Sequence, residues 1–225
     1  MFFIGKKTMA AALVMLLVFG AVAAGAAAVF MPAESTGVSV VVDAGHGGWD
    51  GGVTASDGTK ESEINLELAL ELADKLERRG VAVVLTRKDD NALADGKRAD
   101  MEKRAEIIAA SNAACVISLH LNSFPAQKSR RGVQVFYDDT GKGGSLAAAL
   151  QAILNARINA RYCGRTDLAP QAGDFFITKC SSLPSAIVEC GFLSNAEDKA
   201  LLQSKKFRSE LCEALADAIY EIAVI

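Results

Sequence analysis

Several devices that commonly carry enzyme chemistry are missing from this chain. No G-x-S-x-G elbow is present to expose a serine nucleophile. The run Gly45-His46-Gly47-Gly48 fits neither G-x-G-x-x-G, because Asp50 stands at the last position, nor G-x-x-x-x-G-K-[ST]; this excludes a nucleotide-phosphate cradle. The five cysteines, Cys115, Cys163, Cys180, Cys190 and Cys212, are odd in number and form no C-x-x-C pair. A structural zinc knot or a disulfide framework is therefore unsupported, although an exported chain has room for one or two bridges. Cys115 and Cys190 lie in or beside apolar runs and read as small core residues. Positive charge is also scarce: beyond position 31, 22 basic groups face 27 acidic ones, a balance of −5 that argues against a nucleic-acid partner. No internal repeat or low-complexity segment appears after the N-terminal apolar run.

Histidine occurs only twice, and both copies sit where an apolar β-type run breaks into a polar turn. Val38–Asp43 leads into Ala44-Gly45-His46, and Val116-Ile117-Ser118-Leu119 leads into His120-Leu121-Asn122. Strand ends form the ligand-facing rim of an α/β sheet, so two imidazoles distant in sequence can converge there. Two carboxylates join them. Glu61 lies just before a helical pattern, and Glu189 ends the apolar run Ala186-Ile187-Val188. Two imidazoles and one carboxylate make a three-ligand zinc site with the fourth position open, which leaves the second carboxylate free to move protons. A cysteine nucleophile at Cys190 conflicts with this, because strand neighbours point to opposite faces and Glu189 takes the cleft.

The motifs VVDAGHGGWDGGV, KESEINL, VISLHLNSF, RRGVQVFY and SAIVECGFLSN, in this order, resemble the zinc-dependent N-acetylmuramoyl-L-alanine amidases, the amidase-3 family of cell-wall and spore-cortex hydrolases. The resemblance runs from Val38 to Ile225. It implies zinc held by His46, Glu61 and His120, with Glu189 as catalytic acid/base. The departures, Ala44 where proline is commoner and Ser62 where lysine is commoner, supply no ligand. Glu63 competes with Glu61 for the third metal position, although its place near a helix start also suits a charge favoured by the helix dipole. Asp43, Asn65 and Asn122 flank the ligands and either support them or make turn hydrogen bonds. Arg131 matches an arginine often seen in the family and is a candidate for contact with anionic groups of the substrate. The family has members with an inserted, site-blocking helix ahead of the catalytic glutamate; no such insertion is evident here, so the site is expected to be open.

Strand-like runs at 38–43, 81–86, 115–120, 132–137 and 185–190 alternate with helical patterns. They predict a single three-layer α/β domain with a mixed, mostly parallel sheet of about six strands flanked by helices. Helices are expected from Glu61 to Arg78-Arg79-Gly80 and over 101–112, 146–158 and 207–222, with a short one at 193–203. The charged stretch 88–104 reads as a solvated loop entering a helix, with substrate contact as the alternative.

Lys6 and Lys7 followed by an uncharged run from Thr8 to Met31 make residues 1–31 a cleaved signal peptide or an uncleaved membrane anchor. Residues 32–37 read as a linker and 38–225 as the catalytic domain. The expected activity is cleavage of the amide between the lactyl group of N-acetylmuramic acid and L-alanine in peptidoglycan, outside the cytoplasm. The membrane would be touched only through the N-terminal segment, and a loading or activating protein partner is in keeping with the family. The compact domain and the HLNSF motif look like the spore-cortex, germination-specific subclass. A zinc peptidase acting on the stem peptide and an inactive peptidoglycan-binding module are the competing readings.

Overall fold

The computed structural model describes residues 34–224; the expected leader over 1–31 and the start of the linker lie outside them. Among the described residues no helix is long and apolar enough to cross a membrane. The strands are β1 (Ser39–Ala44), β2 (Ala82–Leu85), β3 (Val116–Asn122), β4 (Gln134–Tyr137), β5 (Gln171–Ala172) and β6 (Ser185–Phe192). The helices are α1 (Glu61–Glu77), α2 (Lys97–Ala110), α3 (Gly143–Leu154), α4 (Ala160–Cys163), α5 (Phe176–Lys179), α6 (Ala196–Gln203) and α7 (Lys205–Ala223). The six strands form one sheet in the order β2-β1-β3-β6-β4-β5, as expected in number. The first four in that order run parallel, and β4 pairs antiparallel to β6.

Strand periodicity sorts the side chains of each strand onto two faces. On one face Val40, Val42, Ile117, Leu119, Ala186 and Val188 pack beneath α1, α3 and α7 in the larger core. Helix α1 meets this face with Ile64, Leu68, Leu72 and Leu76, a four-residue spacing that keeps them on one stripe, and Gly80 at φ 77° lets the chain turn back after it. Helix α7 does the same with Phe207, Leu211, Leu215 and Ile219. The opposite face has a smaller cluster, Val41, Val116 and Ile187 against Ile108 of α2 and Ile177 of α5. The polar residues of interest lie on that thinner side.

The segment expected as one helix over 146–158 is instead α3 widening into a π turn at Asn155–Asn159 before α4. The cause lies in its amides. Gln151 Nε2 and Asn159 Nδ2 both donate to the Val133 carbonyl, at 3.1 and 2.8 Å, while Asn159 Oδ1 accepts from Val133 N and Gln151 Oε1 from Val135 N, both at 2.8 Å. A wider turn keeps residues four apart in line, so these side chains satisfy a strand edge together.

Candidate active site

β1 ends in a sharp turn. His46 takes φ 61°, followed by Gly47 at 136° and Gly48 at 58°. A residue with a Cβ adopts this region only where its surroundings enforce it. Here Gly47 and Asp50 exchange backbone hydrogen bonds of 2.8 and 3.1 Å. Two buried arginines grip the carbonyls of the turn: Arg104 donates to Ala44 O at 2.7 Å and His46 O at 2.6 Å, and Arg87 to Ala44 O at 2.9 Å and Gly45 O at 3.1 Å. Arg104 also donates to Asp43 and Asp100, each at 2.7 Å, and Asp43 accepts from Thr86 and Ser118. Burial alone would raise the Asp43 pKa; the Arg104 charge and the two hydroxyl donors outweigh it and hold the carboxyl below its ordinary value.

This network corrects the solvated-loop reading of 88–104. Residues 88–91 are exposed, but Asp100 and Arg104 are buried and brace the His46 turn. Each charge there has a partner, which is what makes its burial tolerable. Asp100 and Arg104, four apart on α2, share a helix face, and that spacing was the available signal.

His46, Glu61 and His120 meet in front of this turn. Their donor atoms all lie within 4.8 Å of one another. Glu61 Oε1 is 3.3 Å from His46 Nε2 and 3.0 Å from His120 Nδ1, and the two rings stand edge to face with centroids 4.9 Å apart. Only glycine fits around them: a Cβ on Gly45 would strike the His120 ring, and one on Gly52 would lie 2.7 Å from Glu61 Oε2. Asp50, which sequence reasoning missed, holds His46 Nδ1 at 2.8 Å, turning Nε2 toward Glu61. Glu61 is fixed by Val53 N at 2.9 Å and Leu121 N at 3.0 Å, with Asn65 Nδ2 at 3.4 Å. Asn65 also reaches Gly45 O, at 3.2 Å, so it supports the cluster from behind.

Glu63 does not share this place. It lies exposed and pairs with Lys60 at 3.3 Å, while Glu61 is buried. The two are separated by the helical rotation of about 100° per residue.

The electrostatics favour a cation. For Glu61, burial opposes ionisation, but the hydrogen bonds and charge of His120 and His46 outweigh it and hold the carboxyl well below its usual range. For His46, burial favours the neutral ring, yet Glu61 and Asp50 push the pKa up to about 9. Two imidazole nitrogens and a carboxylate oxygen are a donor set for a divalent metal, which would take the role that the imidazole proton plays without it.

Glu189 sits beside the cluster, in register with His120 on the neighbouring strand. Its Oε2 is buried and has no hydrogen-bond partner among the described residues. Burial is the main cause that raises its pKa to about 7; the nearby Glu61 charge adds to this and the histidines oppose it. Cys190 turns the other way into the larger core, as alternation requires. All five cysteines are free.

A cavity of about 320 Å³ reaches Glu189, His46 and His120, which keep 22 % of each imidazole side chain accessible. Helix α5, four residues long, forms a lip of it. Arg131 is committed to the chain itself: it pairs with Glu197 and with Asp198 at 3.4 Å and donates to Tyr162 O at 2.8 Å. Its side chain nevertheless lines a groove beside the site, together with Asn122, Arg130, Gln134 and Arg165.

Two imidazoles and two carboxylates gathered over the C-terminal halves of the parallel strands β1, β3 and β6 are the equipment of a hydrolytic enzyme. The chain belongs to the N-acetylmuramoyl-L-alanine amidase family, whose model matches residues 40–221. The germination-specific N-acetylmuramoyl-L-alanine amidase of Bacillus subtilis is 29% identical over 192 residues, 82% of this chain and 79% of that protein. The CwlD amidase of Clostridioides difficile, solved in complex with the GerS lipoprotein, is 31% identical with a TM-score of 0.74, covering 82% of this chain and 97% of that one. The catalytic domain of CwlV, an N-acetylmuramoyl-L-alanine amidase from Bacillus (Paenibacillus) polymyxa var. colistinus, is 28% identical with a TM-score of 0.71 over 82% of this chain and 97% of that one.

Proposed function

We propose that this peptidoglycan amidase depends on zinc held by His46, Glu61 and His120, and that Glu189 moves the proton as the lactyl–L-alanine amide is cut. The observation that carries the reading is the convergence of the three donors beside a separate carboxylate with an unpartnered buried oxygen. Zinc, when bound, supplies a Lewis acid that polarises a carbonyl and brings the pKa of water from about 15.7 towards 7. Glu189 accepts the proton shed by the attacking water and delivers it to the L-alanine nitrogen as the carbon–nitrogen bond breaks. A carboxyl raised to about 7 is well matched to a group that is base in one half of the cycle and acid in the other. Asp50 keeps His46 in the tautomer that leaves Nε2 bare, and Asn65 keeps Glu61 in place.

The reading extends to a site of action outside the cytoplasm, with residues 1–31 as signal or anchor, 32–37 as linker and 38–225 as the working domain. Lys6 and Lys7 ahead of an uncharged run support it. The germination-specific relative supports spore cortex as the substrate, and the GerS complex of CwlD supports a lipoprotein-like partner. The test is mass spectrometry of digested peptidoglycan with and without a chelator. Peptides with free N-terminal L-alanine and intact glycan chains, lost on chelation and restored by zinc, are expected. Cleavage inside the stem peptide would replace the amidase with a peptidase, and release that survives chelation would remove the zinc.

A further inference from the structure

Among the described residues, the largest exposures of bulky apolar side chains are those of Trp49, at 53 %, and Phe176, at 49 %. They come from different parts of the chain, the turn after β1 and helix α5, yet both line the cavity that holds Glu189. Leaving two aromatic rings in water forgoes burial that a folded chain ordinarily takes. Trp49 is also held in place. Its Nε1 donates to the Ala94 carbonyl at 3.1 Å, and its backbone lies between Gly47 and Asp50, which bond to each other. Through Asp50 the same turn is tied to His46 Nδ1. The indole thus has a fixed position relative to the donor cluster.

We infer that Trp49, with Phe176 on the facing lip, is a stacking platform for a sugar ring of the glycan strand, seating the muramic acid so that its lactyl amide reaches Glu189. The inference rests on the amidase reading above. A pyranose has apolar C–H faces and a polar edge, and suits flat aromatic faces with a polar surround. Asp50, Lys97 and Asp174 at the same cavity provide that surround for hydroxyl and acetamido groups. The peptide end of the substrate matches a different place. Stem peptides carry carboxylates, and the groove on the other side of β6 is lined by Arg130, Arg131 and Arg165. Gln134 in that groove lies in register with Glu189, so the arginine groove adjoins the cavity at the carboxylate that would meet the scissile amide.

Trp49 is the only tryptophan of the chain, so its fluorescence reports this place alone. The full chain carrying Glu189→Gln is titrated with a peptide-free N-acetylglucosamine–N-acetylmuramic acid disaccharide and, separately, with a free stem tripeptide. A saturable emission change with the disaccharide, larger than any change with the tripeptide, is expected. In the otherwise native enzyme, Trp49→Ala should raise KM for muropeptide by about tenfold while kcat stays within about twofold, and Trp49→Phe should restore most of it. No change with the disaccharide, or an equal or larger change with the tripeptide, overturns the platform. So does an unaltered KM in Trp49→Ala. Peptide release by the native enzyme is read in parallel: its absence defeats the amidase reading, whereas release without a disaccharide response defeats the platform alone.

Discussion

Along β6, Ala186, Val188 and Cys190 turn into a core covered by α1, α3 and α7, while Ile187 and Glu189 turn to a face covered by α2 and the four-residue α5. β3 divides in the same way: Ile117 and Leu119 pack inward, and Ser118 and His120 face the site. The period of two that makes a strand lets one set of residues serve both purposes. Each fully buried Leu or Val of the thick face contributes roughly 1.5–3 kcal/mol through burial. The thin face contributes little apolar area there, and its order comes from paired charges and hydrogen bonds, with Arg104 and Arg87 holding the carbonyls of the His46 turn. A thick cover fixes the sheet; a thin one leaves an opening where chemistry has access.

The contrast makes distinct predictions for the two faces. On the thin face, Arg104→Ala strands the Asp43 charge in the interior and should cost about 3–5 kcal/mol of stability in urea unfolding. A loss below about 1 kcal/mol would show that the arginine network adds little. On the thick face, Leu72→Ala should cost about 2–5 kcal/mol, while the protein that remains folded keeps its full zinc stoichiometry. Zinc loss from folded Leu72→Ala would erase the distinction between the faces.

Acid should act on the thin face first. Asp43 has a folded pKa below its ordinary value of 3.8, so it binds fewer protons folded than unfolded near that pH. Its contribution is complete above about pH 4 and disappears as pH falls through the folded pKa. Arg104→Ala should therefore flatten the acid limb of stability against pH, whereas Leu72→Ala should shift the whole curve downward. Parallel curves for the two variants would contradict this. The smallest effect is expected at Glu63, which is exposed and pairs with Lys60. Glu63→Ala should leave zinc binding and peptide release unchanged, while Glu61→Ala abolishes both; the reverse pattern would move the ligand to Glu63.

The thick face was largely legible in the sequence, because its stripes at Ile64, Leu68, Leu72 and Leu76 and the apolar runs of β1, β3 and β6 carry their own periodicity. The strands that carry His46, His120 and Glu189 were legible for the same reason, although His120 and Glu189 lie inside β3 and β6 rather than at their ends. The supports of the thin face were not. Arg87, Asp100 and Arg104 lie in or beside a strongly charged stretch, and charge normally signals solvent; only tertiary pairing buries them. Asp50 gave no periodic signal because it acts from a turn. β5 has only two residues, too few for any alternation, and α5 is a single turn. The lips of the cavity, Trp49 and Phe176, come together only through the fold.

In the proposed reaction the thin face separates metal binding, by His46, Glu61 and His120, from proton movement, by Glu189. Zinc stoichiometry and peptide release, measured together on Glu189→Gln and His120→Ala, distinguish the two roles. Glu189→Gln should keep about one zinc per chain while turnover falls by about 10²–10⁴, and His120→Ala should lose both. Equal zinc loss in the two variants, or near-native release by Glu189→Gln, would contradict the separation.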